Sequence, residues 1–80
     1  MNPNSIGAEL HLIDPKRGCA RRYHIAEGRS LFGQPALLIT WGRIGARARV
    51  RLETFTDADT LDARRRQLLA RRRAHGYAFA

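Results

Sequence analysis

Residues 36–53 read Ala36-Leu37-Leu38-Ile39-Thr40-Trp41-Gly42-Arg43-Ile44-Gly45-Ala46-Arg47-Ala48-Arg49-Val50-Arg51-Leu52-Glu53. The run from Ala36 to Trp41 is nearly continuously apolar, as expected of a central strand. Gly42 and Gly45 bracket a tight turn. Beyond it Ala46, Ala48, Val50 and Leu52 alternate with Arg47, Arg49, Arg51 and Glu53. Strict alternation is the period of a half-buried strand, here with one apolar and one strongly basic face. Two strands joined by a tight turn form an antiparallel pair, and the rest of the chain is read outward from it.

Upstream, Ala8, Leu10 and Leu12 alternate with Glu9 and His11, and Tyr23 and Ile25 alternate with Arg22 and His24. Both stretches, Ala8 to Ile13 and Arg21 to Ala26, read as strands, joined by Asp14-Pro15-Lys16-Arg17-Gly18, whose Asp, Pro and Gly favour a turn. Leu31-Phe32-Gly33-Gln34-Pro35 reads as an apolar anchor in a loop. Met1 to Gly7 reads as a loose tail, which leaves residues 8–80 as one domain. Downstream, Thr56 is the expected helix cap, with Asp59 three residues on. The helix is expected from about Asp57 to His75, stopped by Gly76. Ala58, Leu61, Leu68 and Leu69 form its sheet-facing stripe. Arg65 and Arg72 fall on that stripe too, so their stems should lie along the core edge while the guanidinium groups reach water or a partner. The expected fold is α+β: a twisted antiparallel sheet of about four strands with one C-terminal helix packed on it.

Eighty residues allow one thin core and exclude a two-domain enzyme. Hydrophobic residues at 44% and charged residues at 28% fit a chain that folds. No apolar run is long enough to cross a membrane, and the start carries no signal-peptide pattern, so a soluble protein is expected. The single cysteine, Cys19, cannot form a disulfide within the chain, which fits the reducing cytosol.

Fifteen basic residues oppose seven acidic ones, for a formal charge of +8, and all of the basic residues but Lys16 are arginines. Guanidinium grips phosphate oxygens through two parallel bonds and stacks on bases and sugars, which points to a polyanionic partner. The plainer explanation is arginine used for solubility by a chain of biased composition.

Gly28-Arg29-Ser30-Leu31-Phe32-Gly33 has the glycine spacing that opens a phosphate-binding loop, but Gln34-Pro35 stands where Lys and Ser/Thr are required. His11, Cys19, His24 and His75 never reach a paired metal-ligand spacing, and neither Ser5 nor Ser30 has the setting of a nucleophile. No enzyme activity, metal, cofactor or small-molecule substrate is expected. What remains is Trp41-Gly42-Arg43: a stacking face, a residue that permits close backbone approach, and a phosphate fork. The structural alternative is a tryptophan that closes the core beside a solvated turn arginine.

Trp41-Gly42-Arg43-Ile44-Gly45, followed by Arg49-Val50-Arg51, Phe55 and a helix ending in Gly76-Tyr77, resembles the WGR domain family. That family occurs beside the catalytic domain of poly(ADP-ribose) polymerases and as short bacterial proteins. The resemblance also takes in the strand Arg21-Arg22-Tyr23-His24-Ile25 and Leu31-Phe32-Gly33, and covers roughly residues 20 to 77. It implies the sheet-and-helix fold and binding at DNA strand breaks. In the polymerases the motif tryptophan packs on the sugar of a terminal nucleotide and the motif arginine joins the same contact. Matched residue by residue, Trp41 and Arg43 take those roles, and Arg21, Arg22 and Tyr77 carry over from flanking positions. Ala48 stands where the family usually has a third glycine. With no catalytic domain in 80 residues, the expectation is a non-enzymatic, cytoplasmic or nucleoid-associated module. It would bind DNA, or alternatively RNA, through Trp41, Gly42, Arg43, Arg21, Arg22, Arg47, Arg49, Arg51 and Tyr77. An adaptor for an acidic protein partner is the competing reading.

Overall fold

The computed structural model describes residues 7–80. The tail expected over Met1 to Gly7 therefore lies outside the described residues except for Gly7, which opens the first strand. Five strands and one helix follow: β1 Gly7–Asp14, β2 Cys19–Arg29, β3 Pro35–Arg43, β4 Arg49–Thr54, α1 Ala58–Ala74 and β5 Ala78–Phe79. The sheet is antiparallel with the order β4-β3-β2-β1-β5. The fold is α+β, with a fifth strand beyond the four expected. Strand β5 has only two residues, too few to show a periodicity, and it exists because the chain leaves the helix beside β1. A helix of this length runs about 25 Å, and four strand spacings come to about 19 Å, so α1 can carry the chain from one sheet edge to the other.

Directly opposite residues in an antiparallel ladder share a face, so the register sorts the two sides of the sheet. Leu10, Tyr23, Ile25, Leu37 and Ile39 lie on one side and are buried beneath Leu61 and Leu68 of the helix. Tyr77, just past the helix, sets its ring edge-on to Tyr23 at a centroid distance of 6.4 Å.

Strand β4 corrects the expectation drawn from its own alternation. Ile39 pairs with Arg51 and Leu37 with Glu53, so the charged face lies on the helix side. Val50 and Leu52 pair with Thr40 and Leu38 on the uncovered side and stay 61% and 57% exposed. Glu53 makes the arrangement tolerable: it accepts hydrogen bonds from Arg64 of the helix at 2.9 and 3.1 Å, and Arg51 beside it donates at 2.6 Å. The loop at 31–35 is a second correction. Leu31 and Phe32 are almost wholly exposed and anchor nothing, while the Ser30 hydroxyl accepts from the backbone N–H of Phe32 and of Gln34 to close the hairpin.

The helix cap is Asp57 and not Thr56. Its carboxylate accepts from the Thr60 N–H at 2.7 Å and from the Thr60 hydroxyl at 2.8 Å. At the other end Gly76 adopts φ +99°, and the N–H groups of Tyr77 and Gly76 reach back to the carbonyls of Arg72 and Arg73, the paired bonds of a Schellman stop. Asp57→Ala is expected to lower the melting temperature by several degrees, and Thr56→Ala by much less. Thermal melts of the two variants check the assignment.

Candidate nucleic-acid interface

The helix covers only part of its side of the sheet. Towards the end of β3 the same side continues uncovered, and the residues there follow from register: Arg21 lies opposite Arg43, Tyr23 opposite Trp41, and Trp41 opposite Arg49. Two arginines face each other across a ladder with no carboxylate between them. Like charges so placed are destabilising, so the fold alone does not favour them.

Trp41 is half-buried, with part of its indole against the core and part exposed between two hollows. One hollow is lined by Arg21, Trp41, Gly42, Arg43, Arg47 and Arg49. The other, on the helix side, holds Tyr23, Ile39, Trp41, Arg51, Arg71 and Arg72 among its walls. Among the described residues, Arg21, Arg43, Arg47, Arg49, Arg71 and Arg72 have no carboxylate within ion-pair distance. Among the described residues Arg43 donates to the Gly18 carbonyl, at 3.5 Å. The seven acidic residues are used elsewhere or lie apart. Glu9 takes Arg22, Glu53 takes Arg51 and Arg64, and Asp62 takes Arg65 and Arg66.

Gly42 serves the chain's own backbone. It sits at φ +152°, and a Cβ there would stand 3.4 Å from the Arg47 carbonyl and 3.5 Å from the Ala48 Cα. The glycine thus lets the segment after the turn fold back against β3. The turn itself is closed by the Ala46 N–H on the Arg43 carbonyl, and the Ile44 N–H ties it to Ala20 of β2.

The structure separates the residues that sequence reasoning grouped. Arg21, Arg43, Arg47, Arg49 and Arg51 gather around Trp41. Arg22 falls on the opposite side of the sheet, where its guanidinium holds Glu9 with two bonds of 2.8 and 3.1 Å. Tyr77 is buried in the core at 7% exposure. Two residues join the cluster that the sequence-based set omitted, Arg71 and Arg72. Arg72 lies 4.4 Å from the ring centroid of Tyr23 and 5.7 Å from that of Tyr77, so its charge is held over the Tyr23 ring with the Tyr77 ring beside it. The signal was its spacing, one turn beyond the buried Leu68 on the stripe that faces the sheet.

The WGR domain model matches residues 7–80. The chain belongs to the WGR domain family. It is also similar to the uncharacterized protein y4dW of Sinorhizobium fredii (strain NBRC 101917 / NGR234), with 34% identity over 65 residues, or 81% of this chain and 32% of that protein. The chain thus spans about a third of the length of the relative it matches. No solved structure matches it. No helix among the described residues is long and apolar enough to cross a membrane.

Two carboxylates hold the WGR domain's charged groups in place. Arg64 first, and then Arg51, keep the Glu53 carboxyl at about 2, and Arg22 together with His11 does the same for Glu9, against an ordinary value of 4.5. A depressed carboxylate stabilises the fold fully above its unfolded value and loses that contribution as pH falls through the folded value. Acid should therefore weaken the fold between about pH 4.5 and pH 2, and Glu53→Gln should flatten that stretch of the stability–pH curve. Melting temperatures taken across the range check this.

Proposed function

We propose that this WGR domain is a non-enzymatic DNA-binding module which engages ends, nicks or distorted duplex. The observation that carries the reading is the ring of six arginines without carboxylate partners around one partly exposed indole. A cluster of uncompensated guanidinium groups costs the folded chain repulsion, and a polyanion relieves it. An indole with an open face adds what charge cannot, a flat apolar surface for a sugar or base that has lost its stacking neighbour. Arg21, Arg43, Arg47, Arg49, Arg71 and Arg72 would hold phosphates on both sides of the ring. Arg51, whose charge is shared with Glu53, would contribute less. Arg22 and Tyr77 lie outside this surface and act in the fold.

Fluorescence polarisation on labelled blunt, nicked and closed-circular duplex, with single strand and RNA beside them, tests the proposal. Binding should weaken steeply with salt, with a log–log slope of about −0.9 for each phosphate neutralised, and about three to five contacts suit a module of this size. Arg47→Gln with Arg49→Gln should lower affinity for every DNA form alike and reduce the slope by about two contacts. The same change at Arg65 and Arg66, which Asp62 already neutralises, should do less. Absence of binding to any duplex at about 50 mM salt would exclude a phosphate-binding role and leave the acidic-protein adaptor.

Trp41→Ala separates reading from attraction. The variant should lose about 1 to 3 kcal/mol on nicked or blunt-ended DNA and little on closed circles, where no terminal face is open to the indole. Part of Trp41 packs on the core, so melting is measured alongside and binding is assayed well below the transition. A folded variant with no selective loss at ends would remove Trp41 from the reading role.

A further inference from the structure

We propose that strand β4 pairs edge to edge with β4 of a second copy of this chain, with Leu52 against its own copy. Strand β4 ends the sheet order, and among the described residues no segment pairs with its outer edge. The opposite edge is shielded by β5, whose Phe79 and Ala78 lie opposite Leu10 and His11. An open edge of six residues is a template for pairing unless its side chains forbid it. Here they select one arrangement.

A closed antiparallel pair of identical strands must place one residue opposite itself, because the two-fold axis stands perpendicular to the sheet. Glu53 on the axis would set carboxylate against carboxylate. Arg51 there would set guanidinium against guanidinium, and Val50 there would set Arg49 against Arg51. Leu52 on the axis sets Arg51 opposite Glu53 of the second copy, twice, and Val50 opposite Thr54. Of these registers it is the only one with attractive pairs and no like-charged pair. Leu38 lies beside Leu52 within each chain, so the uncovered face gains an unbroken row of Leu38, Leu52, Leu52 and Leu38. That row gives lateral neighbours to two apolar side chains on the bare side of the sheet, Leu38 and Leu52, which stand 43% and 57% exposed. The same axis keeps both helices on one side, so the two Trp41 surfaces of the pair face the same way. Five residue pairs bury less than about 1,200 Å², the lower bound of a standard interface, so the dimer is a dissociable one.

Sedimentation velocity of the full chain from about 10 μM to about 1 mM tests the pairing. Salt of about 0.3 M screens the repulsion between two chains of charge +8. The mass should rise from one chain towards two. Leu52→Lys, at an exposed position, should melt like the parent and stay monomeric. Register is read separately, with Cys19→Ser removing the native thiol. In that background Leu52→Cys should oxidise to a covalent dimer, and Val50→Cys, which faces Thr54 of the second copy, should not. A parent that is monomeric throughout, a Leu52→Lys variant that still dimerises, or equal cross-linking at positions 50 and 52 would each overturn the proposal. None of these readouts involves DNA, so failure here leaves the binding surface untouched.

Discussion

Tyr23 lies opposite Trp41 in the β2–β3 ladder, and because side chains alternate faces along a strand, that pairing decides which residues share a side of the sheet. From Tyr23 the same side runs one way to Ile25 and the other way to Arg21. From Trp41 it runs to Ile39 and Leu37 in one direction and to Arg43 in the other. The core and the basic surface are therefore one continuous face. The helix covers the part where aliphatic residues continue, and what it leaves bare is the arginine end. A slip of one residue would send Trp41 and Arg43 to the far side while burying Thr40 and Leu38. The site is thus held in place by the same alternation that makes the core.

This explains what could be read from the sequence and what could not. Strands β1 and β2 carry their side assignments in their own alternation, whereas β3 is apolar on both sides and takes its assignment from its pairing with Tyr23 and Ile25. The helix was legible from its acidic start, its leucine spacing and Gly76. Strand β4 was misleading for a physical reason: its alternation is clean, but a strand's own pattern does not say which face looks inward when the partner ladder imposes the answer. Pairing with Leu37 and Ile39 puts Glu53 and Arg51 on the covered side, near the sheet edge where guanidinium groups can still reach water. The apolar alternates are left outside. Such an inversion is sustained by the Glu53 carboxylate, which gathers Arg64 and Arg51 and so pins the helix to the edge strand with charge where a leucine would have done so with area.

Composition alone could not separate the arginines, since all of them are charged alike. The carboxylates separate them. Arg22, Arg51, Arg64, Arg65 and Arg66 each have an acidic partner, and these pairs lie on the uncovered face, along the helix and at the β4 edge. Among the described residues the ones without a partner include every arginine around Trp41 except Arg51. A chain that used arginine only for solubility would gain by spreading its acids among them, as mixed charge does on most surfaces. The motif tripeptide was visible in the sequence, but the reach of the surface was not, because Arg21, Arg47 and the last turn of the helix converge only when the sheet is folded.

Arg72 belongs both to the core and to the basic surface. It stands on the core-facing stripe of the helix, at a place where an aliphatic residue would pack on Tyr23. Its guanidinium lies over the Tyr23 ring and near that of Tyr77 instead. The contact is worth about 0.5 to 2 kcal/mol, comparable with a modest apolar packing contact, so the exchange costs the fold little. In return the helix places a fixed positive charge in the hollow beside Trp41. The paired bonds of the Schellman stop, one of which ends on the Arg72 carbonyl, hold that turn in place. Tyr77 therefore bears on the basic surface only from beneath, as part of the core against which Arg72 is placed.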